Sequence, residues 1–157
     1  MKLCDIVHRE AIVPRLQSGE RDEVVRELVG ALVDAGLAEE GQRDALVSAV
    51  IERETKGSTG FGKGVAVPHV KSEQVTSMVA ALGVSEGGVE FNALDKQPVY
   101  TVFLLLSPSG KPEDHLRAME IIFKNLSQDW FRRFLRQATT VEEVWQVLED
   151  ADAQQGA

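Results

Sequence analysis

The sequence predicts an α/β protein, a single domain in which a mixed β-sheet is flanked by helices on both faces. Its 157 residues fit one domain, since domains average roughly 150 residues. The segment 99–106, VYTVFLLL, is apolar on both faces, as in a strand that is covered on both sides. Helical patterns precede and follow the strands without strict alternation, which favours a mixed sheet over a doubly wound parallel one. We expect the domain to cover residues 1–150, with a frayed tail at 151–157.

The first third of the chain predicts one edge strand and two helices. Residues 11–16, AIVPRL, form a short strand in which Pro14 removes a ladder donor, as at the edge of a sheet. A helix then ends near Gly36, and its apolar stripe consists of Val24, Val25, Leu28, Val29 and Leu32. A second helix begins near Glu39 and has Glu54 on its wet side, and its stripe consists of Leu46, Val47, Val50 and Ile51.

The rest of the chain predicts two strands and three helices. Strands are expected at 75–84, where a Gly-Gly pair follows, and at 99–106. One helix opens at Pro112, and the last opens with a capping box between Thr140 and Glu143. The three helical stripes are Leu116, Met119, Ile122, Phe123 and Leu126; Phe131, Phe134 and Leu135; and Val144, Trp145 and Leu148.

Composition and charge argue against several classes of function. A net charge of −8 disfavours nucleic acid as the main partner, because phosphate neutralisation needs a basic face. A single cysteine, Cys4, excludes an internal disulfide framework. The charged N-terminus is unlike a secretory signal peptide, and no apolar run approaches the roughly 18 residues of a membrane span. We therefore expect a cytoplasmic protein without direct membrane insertion.

Residues 57–64, GSTGFGKG, form a loop, because four glycines in eight residues exclude a helix. A phosphate-binding P-loop is disfavoured, since Gly64 stands where Ser or Thr would bind magnesium and no strand precedes the loop. The dinucleotide fingerprint fails as well, with Val65 in place of its third glycine. Backbone N–H groups and the hydroxyls of Ser58 and Thr59 could hold an anion. A plain helix-to-strand turn is the alternative.

The three histidines separate into one bystander and two candidates. His8 lies in a charged stretch, and with Cys4 it offers two ligands, too few to close a zinc shell. We expect no metal site and no cofactor. His69 follows Pro68 just beyond the glycine loop, and His115 falls in the first turn of a helix, where the dipole keeps imidazole neutral. Either ring alone fits a structural role, but with the loop they predict two imidazoles beside an anion cradle.

Histidine phosphorylation is the chemistry that fits this set of residues. Neutral imidazole is a competent nucleophile at neutral pH. One ring nitrogen attacks phosphorus, while the other is best held as N–H by a carbonyl. Because charge spreads over three oxygens in the transition state, nearby amides, hydroxyls and an arginine would stabilise it.

These residues also carry a family resemblance. Arg53-Glu54 followed by 57–69, GSTGFGKGVAVPH, resembles the signature of the fructose/mannitol-type IIA components (EIIA type 2) of the bacterial phosphoenolpyruvate-dependent sugar phosphotransferase system, roughly RE…STGIGNGVAIPH. Residues 99–108 resemble the central strand of that family, and 114–116, DHL, resemble the start of its second-histidine helix. Lys63 departs from the pattern, standing where asparagine is common. Residues 70–71 depart too, at the pocket rim, where they would alter partner choice more than chemistry.

The resemblance implies the IIA fructose/mannitol-type fold and a phosphotransferase with a phosphohistidine intermediate. His69 would accept the phosphoryl group from the phosphocarrier protein HPr and pass it to a cysteine of a IIB component. His115 would steady the group without carrying it. Arg53 would orient the pocket or pair with the phosphate. Alternatively, Arg53 is only a charged residue on the solvated side of its helix. The loop residues implied to cradle phosphate are Ser58, Thr59, Gly60, Gly62 and Gly64.

A regulatory alternative stays open. The nitrogen-type IIA branch accepts phosphate but signals by binding regulatory target proteins, and both branches need His69. A degenerate domain without phosphorylation is disfavoured because Arg53, His69 and His115 are all present. No sugar is implied, because a IIA component does not bind the sugar, although a transport component could dock on a membrane IIB/IIC complex.

Two geometric expectations follow for the histidines. His69 should be partly exposed at the mouth of a shallow pocket built by the 57–64 loop, since its donor is another protein. The ring of His115 should lie within about 8 Å of the His69 ring, so that both can contact one phosphate.

Overall fold

The structure is a computed structural model that describes residues 1–155. Its centre is one five-stranded mixed β-sheet. The strands are β1 (Val7–Val13), β2 (Val65–Ala66), β3 (His69–Ser72), β4 (Val79–Val89) and β5 (Val99–Pro108). The helices are α1 (Leu3–Ile6), α2 (Arg21–Asp34), α3 (Arg43–Lys56, after a 3-10 turn at Glu40–Gln42), α4 (Pro112–Leu126), α5 (Asp129–Gln137) and α6 (Val141–Gln155).

The sheet is built around β5, as its two-sided apolar sequence predicts. β4 pairs antiparallel with one edge of β5 and parallel with β1, which is an edge strand. β2 and β3 pair parallel with the other edge of β5. Val65 lies opposite Thr101, and His69 lies opposite Leu105. The two short strands therefore place the glycine loop and the histidine at successive points along one strand.

Helices cover both faces of the sheet and bury two hydrophobic cores. Phe103 and Leu105 of β5 pack into the core that includes α1, α4, α5 and α6, whereas Leu104 and Leu106 pack into the core that includes α2 and α3. Alternate side chains of a strand point to opposite faces, so β5 contributes to both cores. The predicted fold class, a mixed sheet flanked by helices on both faces, is confirmed.

Several predicted boundaries are wrong. β1 begins at Val7 and ends before Pro14, and β4 runs from Val79 through the two glycines to Val89. The ladder between β4 and β5 shifts register in that stretch, between Val84 and Val89. Gly88 has φ +92° there. Glycine adopts this left-handed backbone at no steric cost, so the pair forms an irregularity inside the strand rather than closing it.

Two predicted core residues face solvent. Leu116 is 59% exposed and Phe134 is 49% exposed. Their helical neighbours Ile122 and Phe131 are fully buried. The apolar stripes of α4 and α5 are therefore narrower than their sequences indicate, and the excess apolar residues lie on the surface.

The C-terminal prediction needs one correction and contains one success. The capping box is confirmed, because the Glu143 N–H donates to Thr140 Oγ1 at 3.1 Å. The expected fraying from residue 151 is wrong, because α6 continues through Gln155. Buried Asp152 accepts hydrogen bonds from the backbone N–H groups of Leu3 at 2.8 Å and Cys4 at 3.0 Å, which ties this helix to the start of the chain. Residues 156 and 157 lie outside the described residues.

Candidate functional site

The glycine loop is anchored by a buried carboxylate at the end of α3. Glu54 is 2% exposed, although its helical position predicts the wet side. Its carboxylate accepts hydrogen bonds from the Thr59 N–H at 2.7 Å and from Thr59 Oγ1 at 2.6 Å. A carboxylate that accepts two short hydrogen bonds is a strong anchor. Glu54 therefore fixes where the loop leaves the helix.

The next loop residues bond within the loop and to a neighbouring segment. The Gly60 N–H donates to Ser58 Oγ at 3.0 Å, and the Gly60 carbonyl accepts from the Leu94 N–H at 2.7 Å. A Cβ at Gly60 would lie 2.9 Å from the Cβ of Ala93. The N–H and hydroxyl of Thr59 and the N–H of Gly60 were expected to bind phosphate. They form hydrogen bonds within the protein instead, so they are not free to bind an anion.

The second half of the loop has a left-handed backbone. Gly62, Lys63 and Gly64 have φ of +117°, +62° and +76°. The Gly64 carbonyl accepts from the N–H groups of Tyr100 at 2.8 Å and Thr101 at 3.1 Å. A Cβ at Gly64 would lie 3.2 Å from Tyr100 Cδ2. Gly64 is therefore required for the close approach of the loop to β5, which is a geometric role.

His69 is the first residue of β3 and is half-buried. Its Nδ1 lies 2.7 Å from the carbonyl oxygen of Val67. A carbonyl only accepts, so Nδ1 carries the proton and Nε2 keeps its lone pair. Burial lowers the pKa of His69, with the cations of Arg53 and Lys71 acting in the same direction against the Val67 hydrogen bond and the Glu54 charge. The ring is therefore neutral at pH 7.

His115 lies in the first turn of α4, beside His69. The two ring centroids are 5.4 Å apart, with their planes tilted by 48°, so the expected proximity is observed. His115 Nδ1 lies 2.7 Å from the hydroxyl oxygen of fully buried Ser107, at the end of β5. Burial lowers the pKa of His115 to about 4, and repulsion from Lys71 and from the protonated form of His69 contributes. The ring is neutral, as predicted. The main cause is burial, whereas the sequence predicted an effect of the helix dipole.

Arg53 is placed beside this pair by the last turn of α3. Its Nη1 donates to the Gly57 carbonyl at 2.9 Å, and its charge contributes to lowering the pKa of His69. The guanidinium is exposed, and its remaining N–H groups give it donors in a fixed fork. Arg53 thus contacts the loop, and its charge lowers the pKa of His69.

Two residues of this site have no role assigned from the sequence alone. Glu54 stands next to Arg53 in the resembling signature, but its burial depends on the loop folding back onto α3. Ser107 follows the apolar run of β5, and a small polar residue at a strand end gives no signal for a histidine partner eight residues later. Both hydrogen bonds depend on contacts made only in the folded chain.

Among residues 1–155 no group of three or more His, Cys, Asp or Glu side chains is placed to hold a metal ion. No helix in the same range is long and apolar enough to cross a bilayer.

Comparison with known proteins places this geometry in context. The sequence profile described as "Phosphoenolpyruvate-dependent sugar phosphotransferase system, EIIA 2" matches residues 5–151. A fructose-specific EIIA component from Haloferax volcanii is 32% identical over 82% of each chain. A nitrogen regulatory protein from Escherichia coli is 31% identical over 97% of this chain and 92% of its own. A fructose-specific EIIABC component from Bacillus subtilis is 30% identical over 97% of this chain, which spans only 24% of that relative's length.

Solved structures show the same fold. The nitrogen regulatory protein IIA-Ntr from Neisseria meningitidis matches with a TM-score of 0.82 and 28% identity, covering 92% of this chain and 97% of that one. The mannitol enzyme IIA from Escherichia coli, solved in complex with phosphorylated mannitol enzyme IIB, matches with a TM-score of 0.76 over 90% of this chain and 95% of its own. At 21% identity the second likeness concerns the fold alone. From the profile match and the relatives together, this chain belongs to the EIIA type 2 family of the phosphoenolpyruvate-dependent sugar phosphotransferase system.

Proposed function

We propose that this protein is a phosphotransferase that carries a phosphoryl group on Nε2 of His69. The observation that carries the proposal is the 2.7 Å hydrogen bond from His69 Nδ1 to the Val67 carbonyl. It holds the proton on one nitrogen and leaves the other as the nucleophile. The lowered pKa of His69 keeps that lone pair available at neutral pH.

The transfer step needs no proton movement in this arrangement. The Nε2 lone pair attacks phosphorus, and the bond between phosphorus and the donor atom breaks with its electron pair staying on the donor. Nδ1 keeps its proton and its hydrogen bond to Val67 throughout. In the onward step a thiolate attacks phosphorus, and the electron pair of the P–N bond returns to Nε2.

His115 would stabilise the phosphoryl group without carrying it. With the Ser107 hydroxyl donating to Nδ1, the proton of the neutral ring stays on Nε2, and this N–H is available to a phosphoryl oxygen. The 5.4 Å ring separation allows both rings to contact one phosphoryl group. A preorganised N–H donor toward developing charge typically contributes about 10²–10³ in rate.

Arg53 would supply the positive charge that the two neutral rings lack. Its Nη1 is held by the Gly57 carbonyl, so the guanidinium is oriented before a phosphoryl group arrives. Lys71 is a second cation whose charge acts on both histidines. These cations would offset the charge of a phosphoryl group on a chain whose net charge is −8. The remaining loop residues would shape the pocket.

Exposed apolar side chains near the histidines fit a protein as donor and acceptor. Phe61 in the loop packs on Phe123 of α4 with ring centroids 4.9 Å apart and stays 36% exposed. Leu116, directly after His115, is also exposed. A contiguous exposed apolar patch marks a protein interface, and we propose that Phe61 and Leu116 belong to one. We propose HPr as the donor and a IIB component as the acceptor; the mannitol enzyme IIA has been solved in complex with phosphorylated mannitol enzyme IIB.

A regulatory role is the second candidate function. The relatives at about equal identity include a fructose-specific EIIA component and a nitrogen regulatory protein. In that role the same His69 chemistry would change which target protein binds the apolar surface. A IIB partner and a regulatory target are distinguished by whether label leaves the protein for a cysteine or stays on His69.

Phosphate transfer from labelled phosphoenolpyruvate through enzyme I and HPr tests the proposal. We expect one acid-labile, base-stable label on the wild type and on His8→Ala, and none on His69→Ala. His8 is the matched control because it is the histidine outside the pair. Equal acid-labile label on His69→Ala would place the acceptor on another histidine and overturn the assignment.

A further inference from the structure

An open cleft of about 800 Å³ lies between α5 and the start of β5, away from the histidine pair. Its volume is in the range of small-molecule sites. Thr101 lines it, whereas His69 pairs with Leu105. Four residues along a strand separate these points, which is roughly 13 Å. The cleft is thus a separate cavity on the same edge of β5.

The cleft is electropositive in a chain that is acidic overall. Its lining side chains include four cations, Lys63, Arg132, Arg133 and Arg136, against the carboxylates Asp95 and Asp129. The net charge of the whole chain is −8. Clustered cations with low-dielectric walls concentrate a positive potential that attracts anions.

Two of the arginines are held in place by the fold. The guanidinium of Arg136 lies 3.5 Å from the centroid of the Tyr100 ring. Arg132 is only 17% exposed, and its Nη1 donates to the Leu126 carbonyl at 2.7 Å. Because these side chains are already ordered, little rotamer entropy remains to be lost when a ligand binds.

Lys63 reaches the cleft from a strained backbone. Its φ of +62° lies in the left-handed region, which costs a residue with a Cβ of this kind of order 1 kcal/mol. Asparagine tolerates that region better. A lysine at this position is therefore unfavourable for the loop itself, while it adds a cation to the cleft.

We propose that this cleft binds a small phosphorylated polyhydroxy compound, of the sugar phosphate class. Arg136 and Lys63 would hold the phosphate, since guanidinium matches phosphate geometry. Arg132 and Arg133, which also pair with Asp129 at 3.4 and 3.8 Å, would add positive charge. The amides of Gln97 and Gln137 and the carboxylate of Asp95 suit hydroxyl groups. The same carboxylates, and the acidic charge of the chain, disfavour an extended polyanion. The site is separate from the histidine pair, because His69, His115 and Arg53 do not line it, although Lys63 and Gly64 of the glycine loop do.

Amide chemical-shift titration of the full chain tests the site. The probes are glucose 6-phosphate, ribose 5-phosphate and glycerol 3-phosphate, with glucose and inorganic phosphate as comparisons. We expect saturable shifts at Gly64, Tyr100 and α5 with at least one phosphorylated probe, weaker binding of inorganic phosphate and none of glucose. His69→Ala should bind equally well, so a failure of the phosphotransfer proposal leaves this result unchanged.

Matched variants distinguish specific binding in the cleft from a general attraction of anions to surface cations. The double variant Arg133→Gln/Arg136→Gln should weaken binding at least about tenfold, as expected for lost charged hydrogen bonds. Lys63→Asn should weaken it while relieving the loop. Arg26→Gln is the control, since Arg26 is an exposed arginine of α2 paired with Glu23. The double variant and Arg26→Gln are expected to keep normal phosphorylation of His69.

Three outcomes would overturn the proposal. The first is no binding of any phosphorylated probe in the low millimolar range. The second is an affinity for inorganic phosphate equal to that for the phosphorylated probes, which would mean an adventitious ion only. The third is a response that does not single out the cleft, either equal weakening by Arg26→Gln or shifts confined to the histidine pocket.

Discussion

Two regions along one edge of β5 differ in the charge of their side chains. Opposite Leu105, the histidine pair is desolvated, and burial lowers the pKa of both rings. Opposite Thr101, the cleft stays open to water and its arginines stay charged. Burial turns imidazole into a neutral nucleophile, whereas guanidinium remains protonated in any surroundings. The first region is therefore suited to forming a bond, and the second only to holding an anion.

The difference also lies in what fixes the side chains. Each histidine is oriented by a hydrogen bond at Nδ1, to the Val67 carbonyl or to the Ser107 hydroxyl. Two of the cleft arginines are oriented by other contacts, Arg136 by the Tyr100 ring and Arg132 by the Leu126 carbonyl. The Val67 carbonyl can only accept, so the proton of His69 lies on Nδ1; for His115 we propose that the Ser107 hydroxyl donates to Nδ1, which leaves the proton on Nε2. The following variants address this property.

The largest expected effect is that of His115→Ala. His69 should still accept the phosphoryl group, because the nucleophile and its Val67 hydrogen bond are intact, but onward transfer should slow about 10²–10³-fold with the loss of one donor. Rapid-quench transfer to a IIB domain measures it, with His8→Ala as the control. Binding in the cleft should not change. Complete loss of acceptance by His69 would show that the second ring is needed in the first step as well.

Lowering the pH should destabilise the folded protein through the histidine pair. The ordinary pKa of His115, 6.5, falls to about 4 in the folded protein. The imidazole of His115 binds a proton below pH 6.5 in the unfolded chain but not in the native state, so stability that is present above pH 6.5 is lost as the pH falls toward 4. The lowered pKa of His69 acts in the same direction.

The measurement is the free energy of unfolding by urea at several pH values. His115→Gln should show a shallower loss of stability between pH 6.5 and 4 than the wild type. Arg133→Gln should keep the wild-type slope, because arginine does not titrate in this range. Equal slopes in wild type and His115→Gln would show that the buried ring does not resist protonation.

Much of the architecture is predictable because it follows from periodicity. The two-sided apolar pattern of 99–106 predicts a central strand, and Thr140 with Glu143 predicts the start of the last helix. Periodicity fails where tertiary contacts decide. Asp152 holds the C-terminal helix against the N-terminus, and β4 pairs with β5 again at Val89, beyond its glycines.

The candidate site is predictable in its residues and only partly in its geometry. The proximity of His69 and His115 follows from the family resemblance, and the structure places their rings 5.4 Å apart. The expected loop cradle is different, because Glu54 takes the donors of Thr59. A glutamate in a helix that ends at a glycine loop gives no local signal of burial. The roles of these residues in transfer stay predictions.

Glu54→Ala should weaken the pocket without touching the cleft arginines. It leaves the buried N–H and hydroxyl of Thr59 without an acceptor, which typically costs about 1–3 kcal/mol. Thermal or urea unfolding measures this, and label transfer to His69 should slow as the loop loosens. Glu52→Ala is the matched control, since Glu52 lies on the same helix in an exposed pair with Lys56, and should cost less than about 0.5 kcal/mol. Equal destabilisation by both variants would contradict an anchoring role.

The smallest expected effect, and the sharpest test of how the histidine pocket is tuned, is that of Ser107→Ala. The variant removes the partner of His115 Nδ1, so the ring loses its preference for a proton on Nε2. Onward transfer should slow by up to about tenfold, the worth of one hydrogen bond, while His69 still accepts label. Ring nitrogen chemical shifts of His115 should move toward a tautomer mixture, which a merely structural role would not produce. Ser85→Ala is the control, because Ser85 is a buried serine that accepts a hydrogen bond from Gly88. Unchanged His115 ring shifts in Ser107→Ala would mean that another group sets the tautomer.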